Sequence, residues 1–167
     1  GNPAKWGFNI LHHLIRGGFE GGIYPINAKG GEWFGRRMYK NLDEIGEPLD
    51  LAIIAVPKEK VSDALRECGK KGIQTAVVIT AGFGETGAEG KALEADVVRT
   101  ARDYGIRIVG PNTMGISNPY INLYCTGSAV RPRPGGTSIV AQSGNMGVQL
   151  LAFAEEQGIG IRCFCGS

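Results

Sequence analysis

Apolar positions along the chain follow two spacings, one typical of helices and one typical of buried strands. Residues 6–16 place Phe8, Leu11, Leu14 and Ile15 at helical spacing, and two glycines follow. Further helices are predicted at residues 59–71, 87–104 and 145–157. Strands are predicted at residues 22–27, 49–57, 74–79, 107–109, 137–141 and 161–165. This alternation predicts an α/β fold with a doubly wound parallel sheet of the Rossmann type.

The same pattern predicts two domains joined by a short linker. Residues 111–130 show no regular spacing, and residues 131–136 mix arginine with proline and end in two glycines, which continue neither a helix nor a strand. We expect a first domain over residues 1–130, with its opening strand missing, and a linker at 131–136. Residues 137–167 would then begin a second α/β domain. A single βαβ unit cannot bury both faces of its strands, so we expect more chain beyond it.

The composition of the chain argues against several classes of function. The net charge is only +2 and the 18 basic residues are scattered, so nothing indicates nucleic acid or an anionic membrane surface. No apolar run approaches the roughly 18 residues of a membrane span. The four cysteines lack CxxC spacing, and His12 and His13 point to different sides of one helix, so no metal site is predicted. We expect a protein of the reducing cytoplasm that binds a small anion.

Ligands of parallel sheets bind at the carboxyl ends of the strands, where this chain carries turn-forming residues. Lys29 follows the strand at 22–27, where an NAD-binding protein has an acidic residue for the ribose, which favours CoA or NADP. Pro57, Thr80 and Asn112 follow the next three strands. Plainer interpretations remain open: a solvated lysine, a strand terminator and a buried asparagine bonded to its loop. Glu85 lies near the start of the predicted helix at 87–104, and its plainer interpretation is a carboxylate that stabilises the first turn of that helix.

Two turns lead into helices and could present backbone N–H groups to a phosphate: residues 1–7 and residues 142–147. The first lacks GxGxxG spacing. Ser143 has no glycine two residues before it, which argues against a nucleophile elbow. No hydride-transfer site or general acid accompanies the fold, and this disfavours an NADP-dependent oxidoreductase.

Five short segments occur in a recognisable order: YPINAK at 24–29, AVP at 55–57, VITAGF at 78–83, GPNTMGI at 110–116 and VAQSG at 140–144. Together they resemble the NDP-forming acyl-CoA synthetases, a family that includes ADP-forming acetyl-CoA synthetase and the α subunit of succinyl-CoA synthetase. The resemblance covers essentially the whole chain. It implies a CoA-binding domain followed by the start of a flavodoxin-like ligase domain.

The resemblance also implies an activity. The family interconverts acyl-CoA, ADP and phosphate with a carboxylic acid, ATP and CoA, through an acyl phosphate and a phosphohistidine. The ATP and Mg²⁺ site would lie on an ATP-grasp domain or subunit outside this chain, in an oligomeric enzyme. Neither His12 nor His13 matches the phosphorylated histidine, so this chain would not be the complete catalyst. The alternative is a CoA-binding regulatory module without ligase activity, for example of a protein acetyltransferase.

Ala81 stands where succinyl-specific relatives carry an acidic residue, so the resemblance favours an acetyl-type acid. The same resemblance implies that Ser143, Gly144 and Asn145, at the start of a helix, receive the phosphate of the phosphohistidine. The predicted CoA contacts lie in the turn before the first helix and at the strand ends. They are Asn2, Pro3, Ala4, Lys5, Lys29, Val56, Pro57, Ile79, Thr80, Ala81 and Asn112.

Overall fold

The computed structural model of the chain describes residues 6–166. Contacts between Cα atoms group these residues into two units. The first comprises Gly22–Asn112, and the second comprises residues 6–21 and 113–166. This grouping differs from the division at residues 131–136 that the sequence suggests, and the domain boundary stays a prediction.

The first unit is built on a parallel three-stranded sheet of β3 (Ala52–Ile54), β4 (Thr75–Val78) and β5 (Arg107–Val109), in that order. Helix α2 (Val61–Lys70) connects β3 to β4, and α3 (Ala88–Asp103) connects β4 to β5. Both helices share one apolar core with the strands, and Val61, Leu65 and Val97 in it are at most 1% exposed. The predicted α/β class with a parallel sheet is confirmed, and so are these helices and strands.

The segment before this sheet differs from the prediction. Residues 22–27 form no regular strand, because only Ile26 pairs, in a parallel bridge with Tyr39. A small antiparallel hairpin follows, with β1 (Glu32–Trp33) and β2 (Arg36–Arg37). Its two-residue turn has Phe34 at φ 49° and Gly35 at φ 69°, the left-handed pair that matches the twist of a hairpin. The glycine-rich stretch after residue 27, for which the sequence predicts no strand, therefore contains a strand pair of its own.

The second unit contains a mixed sheet of order β7-β6-β9-β8. Strands β6 (Gly115–Asn118) and β7 (Leu123–Thr126) are antiparallel and lie within the stretch that the sequence indicates as irregular. Strands β8 (Pro134–Ala141) and β9 (Ile161–Gly166) are parallel and are connected by α4 (Gly144–Glu156), which confirms the predicted βαβ unit. Strand β8 begins at Pro134, inside the predicted linker.

Helix α1 (Trp6–Gly17) forms as predicted and packs against β7 in this second unit. The Nδ1–H of His13 donates to the Thr126 carbonyl at 2.9 Å. The close approach of α1 to β7 requires a glycine at Gly17, because a Cβ at that position would lie 2.6 Å from Cδ2 of Tyr124. Among residues 6–166, no helix is both long and apolar enough to cross a membrane.

Candidate functional site

The carboxyl ends of the three parallel strands in the first unit are held together by Thr80. Its hydroxyl donates to the Val56 carbonyl at 2.6 Å, and its own carbonyl accepts from the Asn112 N–H at 2.9 Å. Thr80 follows β4, whereas Val56 follows β3 and Asn112 follows β5. One central residue therefore bonds both neighbouring strand ends. The structure brings together three of the predicted CoA contacts at one edge of the sheet.

The side chains at this edge differ in how far a ligand can reach them. Pro57, Ala81 and Asn112 are exposed, and Val56 is half-buried. Ile79 is only 5% exposed, and its N–H donates to the Ile54 carbonyl at 2.9 Å. The contribution of Ile79 to the site stays a prediction.

Asn112 adopts a left-handed conformation with φ 59°. Its side chain is exposed and forms no hydrogen bond with any part of the chain that the structure describes. The plainer interpretation, a buried asparagine bonded to its own loop, is therefore wrong. Since asparagine tolerates the left-handed region better than most residues, its backbone conformation also fits the residue type.

Lys29 lies at the tip of a tight turn. The Asn27 side chain accepts from the Lys29 N–H at 3.0 Å, and the Gly30 N–H donates to the Asn27 carbonyl at 2.7 Å. The lysine side chain is exposed and has no ion pair with any described residue. A cation held on an ordered turn without an acidic partner is suited to bind a phosphate.

Sequence reasoning missed a second cation at this turn. A Cβ on Gly30 would lie 3.3 Å from Cε of Lys40, so the Lys40 side chain runs across the turn that presents Lys29. Lys40 is exposed and has no ion pair among residues 6–166, whereas the nearby Arg37 is paired with Glu44 at 2.8 Å. The pairing of Tyr39 with Ile26 and the bond from the Met38 N–H to the Gly31 carbonyl at 2.8 Å place Lys40 here, and these contacts leave no pattern in the sequence.

In the second unit, the predicted phosphate-receiving turn is the start of helix α4. Ser143 caps the helix by accepting from the Met146 N–H at 3.4 Å, and Asn145 is exposed. A helix N-terminus of this kind favours an anion. Gly144 has a further, structural reason to be glycine, because a Cβ there would lie 3.0 Å from Cε of Met114.

Other predicted features fall outside the described residues or carry no chemistry. Asn2, Pro3, Ala4 and Lys5 lie outside residues 6–166. Burial raises the pKa of Cys68 to about 11 and that of Cys125 to about 12, so neither thiol is a nucleophile at neutral pH. Within the described ranges, no group of three or more His, Cys, Asp or Glu residues could hold a metal ion.

A cavity of about 790 Å³ lies along α3, and its lining includes Lys91, Glu94 and Arg99. It contains none of the predicted site residues. Most of its lining is a charged helix face, on which Arg99 pairs with Asp96, and such faces are normally solvated. The edge formed by the strand ends is therefore the better candidate site.

Comparisons with known proteins show which family the chain belongs to. A family profile described as CoA binding domain matches residues 1–119. The ADP-forming acetate–CoA ligase I subunit alpha of Pyrococcus furiosus is 42% identical over 163 residues, which are 95% of this chain and 35% of that protein. The ADP-forming acetate–CoA ligase of Methanocaldococcus jannaschii is 45% identical over 157 residues, 94% of this chain and 22% of that protein.

Among solved structures, the dinucleotide forming acetyl-coenzyme A synthetase 1 of Ca. Korarchaeum cryptofilum, in complex with phosphate and ADP, matches with a TM-score of 0.93 and 36% identity. The match covers 99% of this chain and 35% of that one. The chain thus spans about a third or less of the length of these relatives. The chain belongs to the CoA binding domain family, and its resemblance to the ADP-forming acyl-CoA synthetases is confirmed.

Proposed function

We propose that the chain binds coenzyme A at the carboxyl edge of the β3-β4-β5 sheet. The observation that carries this proposal is the hydrogen bonding of Thr80, which joins three strand ends into one ordered edge. Ligands of open parallel sheets bind outside such an edge. The family profile over residues 1–119 supports coenzyme A as the ligand.

Each part of coenzyme A has a chemical partner in this proposal. Lys29 and Lys40, which have no ion pair among residues 6–166, face the charged 3′-phosphoadenosine end and suit a phosphate that carries up to two negative charges. The exposed Pro57, Ala81 and Asn112 line the amide-containing arm that ends in the thiol. Asn2, Pro3, Ala4 and Lys5 belong to the same proposal through the family resemblance alone.

We further propose that the full-length protein is an ADP-forming acyl-CoA synthetase. It would convert an acid, ATP and CoA into acyl-CoA, ADP and phosphate through an acyl phosphate and a phosphohistidine. An ATP-grasp domain or partner subunit would supply the nucleotide site in an oligomer. The names of the Pyrococcus and Methanocaldococcus relatives support this reaction class.

The acid in this proposal is a small monocarboxylate. Ala81 is exposed and carries no charge, so it contributes nothing that would select a second carboxylate group on the acid. Acetate is the first acid to test. The enzyme would work in the cytoplasm, where the four free cysteines of the chain would stay reduced.

The test is ATP-dependent thioester formation by the full-length protein. We expect formation of acetyl-CoA together with ADP and phosphate, and much slower turnover of succinate. The 167-residue chain alone should be inactive. A full-length protein that binds CoA but forms no thioester with any short acid would refute the ligase and favour a regulatory module.

The start of α4 is proposed to hold the phosphate of the phosphohistidine. Asn145→Asp places a negative charge beside that anion but suits the helix dipole, so it should slow phosphate incorporation from ATP without lowering the melting temperature. Gln149→Glu, an exposed change of the same charge one turn further along α4, is the matched control. Equal incorporation rates in the two variants would show that this turn is only structural.

A further inference from the structure

The loop that follows β4 donates three successive backbone N–H groups to carboxylates of the chain itself. The Gly82 N–H donates to Glu85 Oε1 at 2.6 Å, and the Phe83 N–H donates to Glu85 Oε2 at 3.1 Å. The next N–H, of Gly84, donates to Glu94 Oε2 at 2.9 Å. Successive N–H groups in a turn form a concave site for an anion. Here two side chains of the unit fill that site.

The same loop is fixed from its other sides. The Phe83 side chain is fully buried in the core of the first unit, and its carbonyl accepts from the Thr86 hydroxyl at 2.8 Å. Helix α3 approaches so closely that a Cβ on Gly90 would lie 1.8 Å from the Phe83 carbonyl oxygen. The loop therefore has a single well-defined position relative to β4 and α3.

This position determines how the chain leaves the proposed CoA site. Ala81 links Thr80 to Gly82, which has φ 101°. The Ala81 N–H makes no hydrogen bond among residues 6–166, and its side chain is exposed. A donor that is unused at the carboxyl edge is available to a polar group of a bound ligand. The direction in which the Ala81 N–H points depends on the loop that follows.

We propose that Glu85, assisted by Glu94, is a positioning residue for CoA that orients the Thr80–Ala81 segment through the N–H groups of the loop. This inference rests on the proposed function of the edge. Neither carboxylate touches the ligand. Their effect on binding is transmitted by the backbone of Gly82, Phe83 and Gly84.

The charge of Glu85 is consistent with this role. The hydrogen bond from Gly82 is the largest cause that lowers the pKa of the Glu85 carboxyl, and bonds from its own N–H and that of Phe83, with Lys58, act in the same direction. The carboxylate is therefore ionised at neutral pH, and charge strengthens the bonds it accepts. Lys58 also covers Gly82, since a Cβ there would lie 3.0 Å from its Cδ.

The test compares two changes of equal charge in the full-length protein. Glu85→Gln keeps the size of the side chain but removes its charge and one acceptor oxygen. We expect the Kd and the KM for CoA to rise about tenfold, with kcat at saturating CoA and the KM for ATP unchanged within about twofold. Glu89→Gln, in the first turn of α3 and without a bond to the loop, should change none of these quantities.

Amide hydrogen exchange shows independently whether the loop has been released. Faster exchange at Gly82 and Phe83 in Glu85→Gln, with unchanged CoA affinity, would overturn the inference. A fall in kcat at saturating CoA as large as the fall in CoA affinity would also overturn it, because it would indicate a purely structural role. If Glu85→Gln does not fold, Glu94→Gln gives the same comparison through the Gly84 N–H. A wild-type protein that binds no CoA would instead refute the proposed function.

Discussion

Replacing Thr80 by valine tests the hydrogen bond that organises the candidate site. Valine keeps the branched shape of threonine and loses only the hydroxyl, which donates to the Val56 carbonyl at 2.6 Å. A lost hydrogen bond of this kind costs about 1 kcal/mol, and more when the abandoned acceptor is fully buried. Because Thr80 is half-buried, water can partly replace the donor, so we expect about 1 kcal/mol. The Asn112 N–H keeps its acceptor, since that bond uses the Thr80 backbone.

We expect the same loss of about 1 kcal/mol in the free energy of CoA binding, because the bond orders the strand ends that CoA would contact. A change of 1 kcal/mol corresponds to about a fivefold rise in Kd for CoA. Calorimetry on the full-length protein measures it, together with the urea midpoint of unfolding. Thr75→Val, at the exposed start of the same strand, is the matched control and should change neither quantity. If Thr80→Val binds CoA as tightly as Thr75→Val, the hydroxyl does not organise the site.

Four further substitutions test separate parts of the account. Lys29→Ala should weaken CoA binding by about 1 to 2 kcal/mol and dephospho-CoA binding much less. Lys40→Ala should give a smaller loss of the same kind. Equal losses for both ligands would refute contact with the 3′-phosphate. Gly90→Ala should destabilise the fold by about 3 kcal/mol, seen as a lower melting temperature, because its Cβ would lie 1.8 Å from the Phe83 carbonyl oxygen; an unchanged melting temperature would contradict this. The lowered pKa of Glu85 implies stability that is present above the ordinary carboxyl pKa of 4.5 and is lost as pH falls through the lowered value. Glu85→Gln should remove that part of the acid dependence of the unfolding midpoint, and an acid profile identical to wild type would oppose it.

The parallel sheet was predictable because its signals are local. Residues 76–79 form an apolar run between two helical patterns, and β4 (Thr75–Val78) overlaps that run. Because ligands bind at the carboxyl ends of parallel strands, the sequence alone predicts Pro57, Thr80 and Asn112 at one edge of the sheet.

Strands β1, β2, β6 and β7 were missed because their sequences lack these signals. The hairpin turn places Phe34 in the left-handed region, where asparagine or glycine is the usual sign of a hairpin. Strand β6 contains Ser117 and Asn118, so it has no apolar alternation. It begins at Gly115, where a Cβ would lie 2.0 Å from the Cys125 carbonyl oxygen of its partner strand, a constraint that exists only after the strands pair.

The candidate site also has parts that the sequence predicts and parts that it does not. The position of Lys29 after the predicted strand at 22–27 indicated a phosphate on the ligand, although that strand is only a single bridge. The roles of Lys40, Glu85 and Glu94 were not predictable, because each depends on contacts made between separate segments of the fold. Glu94 reaches Gly84 across ten residues, and no local pattern encodes that pairing.

Calorimetric titration of the full-length protein with CoA, dephospho-CoA and NADP tests the central claim most directly, because it separates the ligand class from the role of the 3′-phosphate. We expect CoA to bind, dephospho-CoA to bind about tenfold more weakly and NADP to show no comparable heat. Tight binding of NADP without binding of CoA would contradict the account.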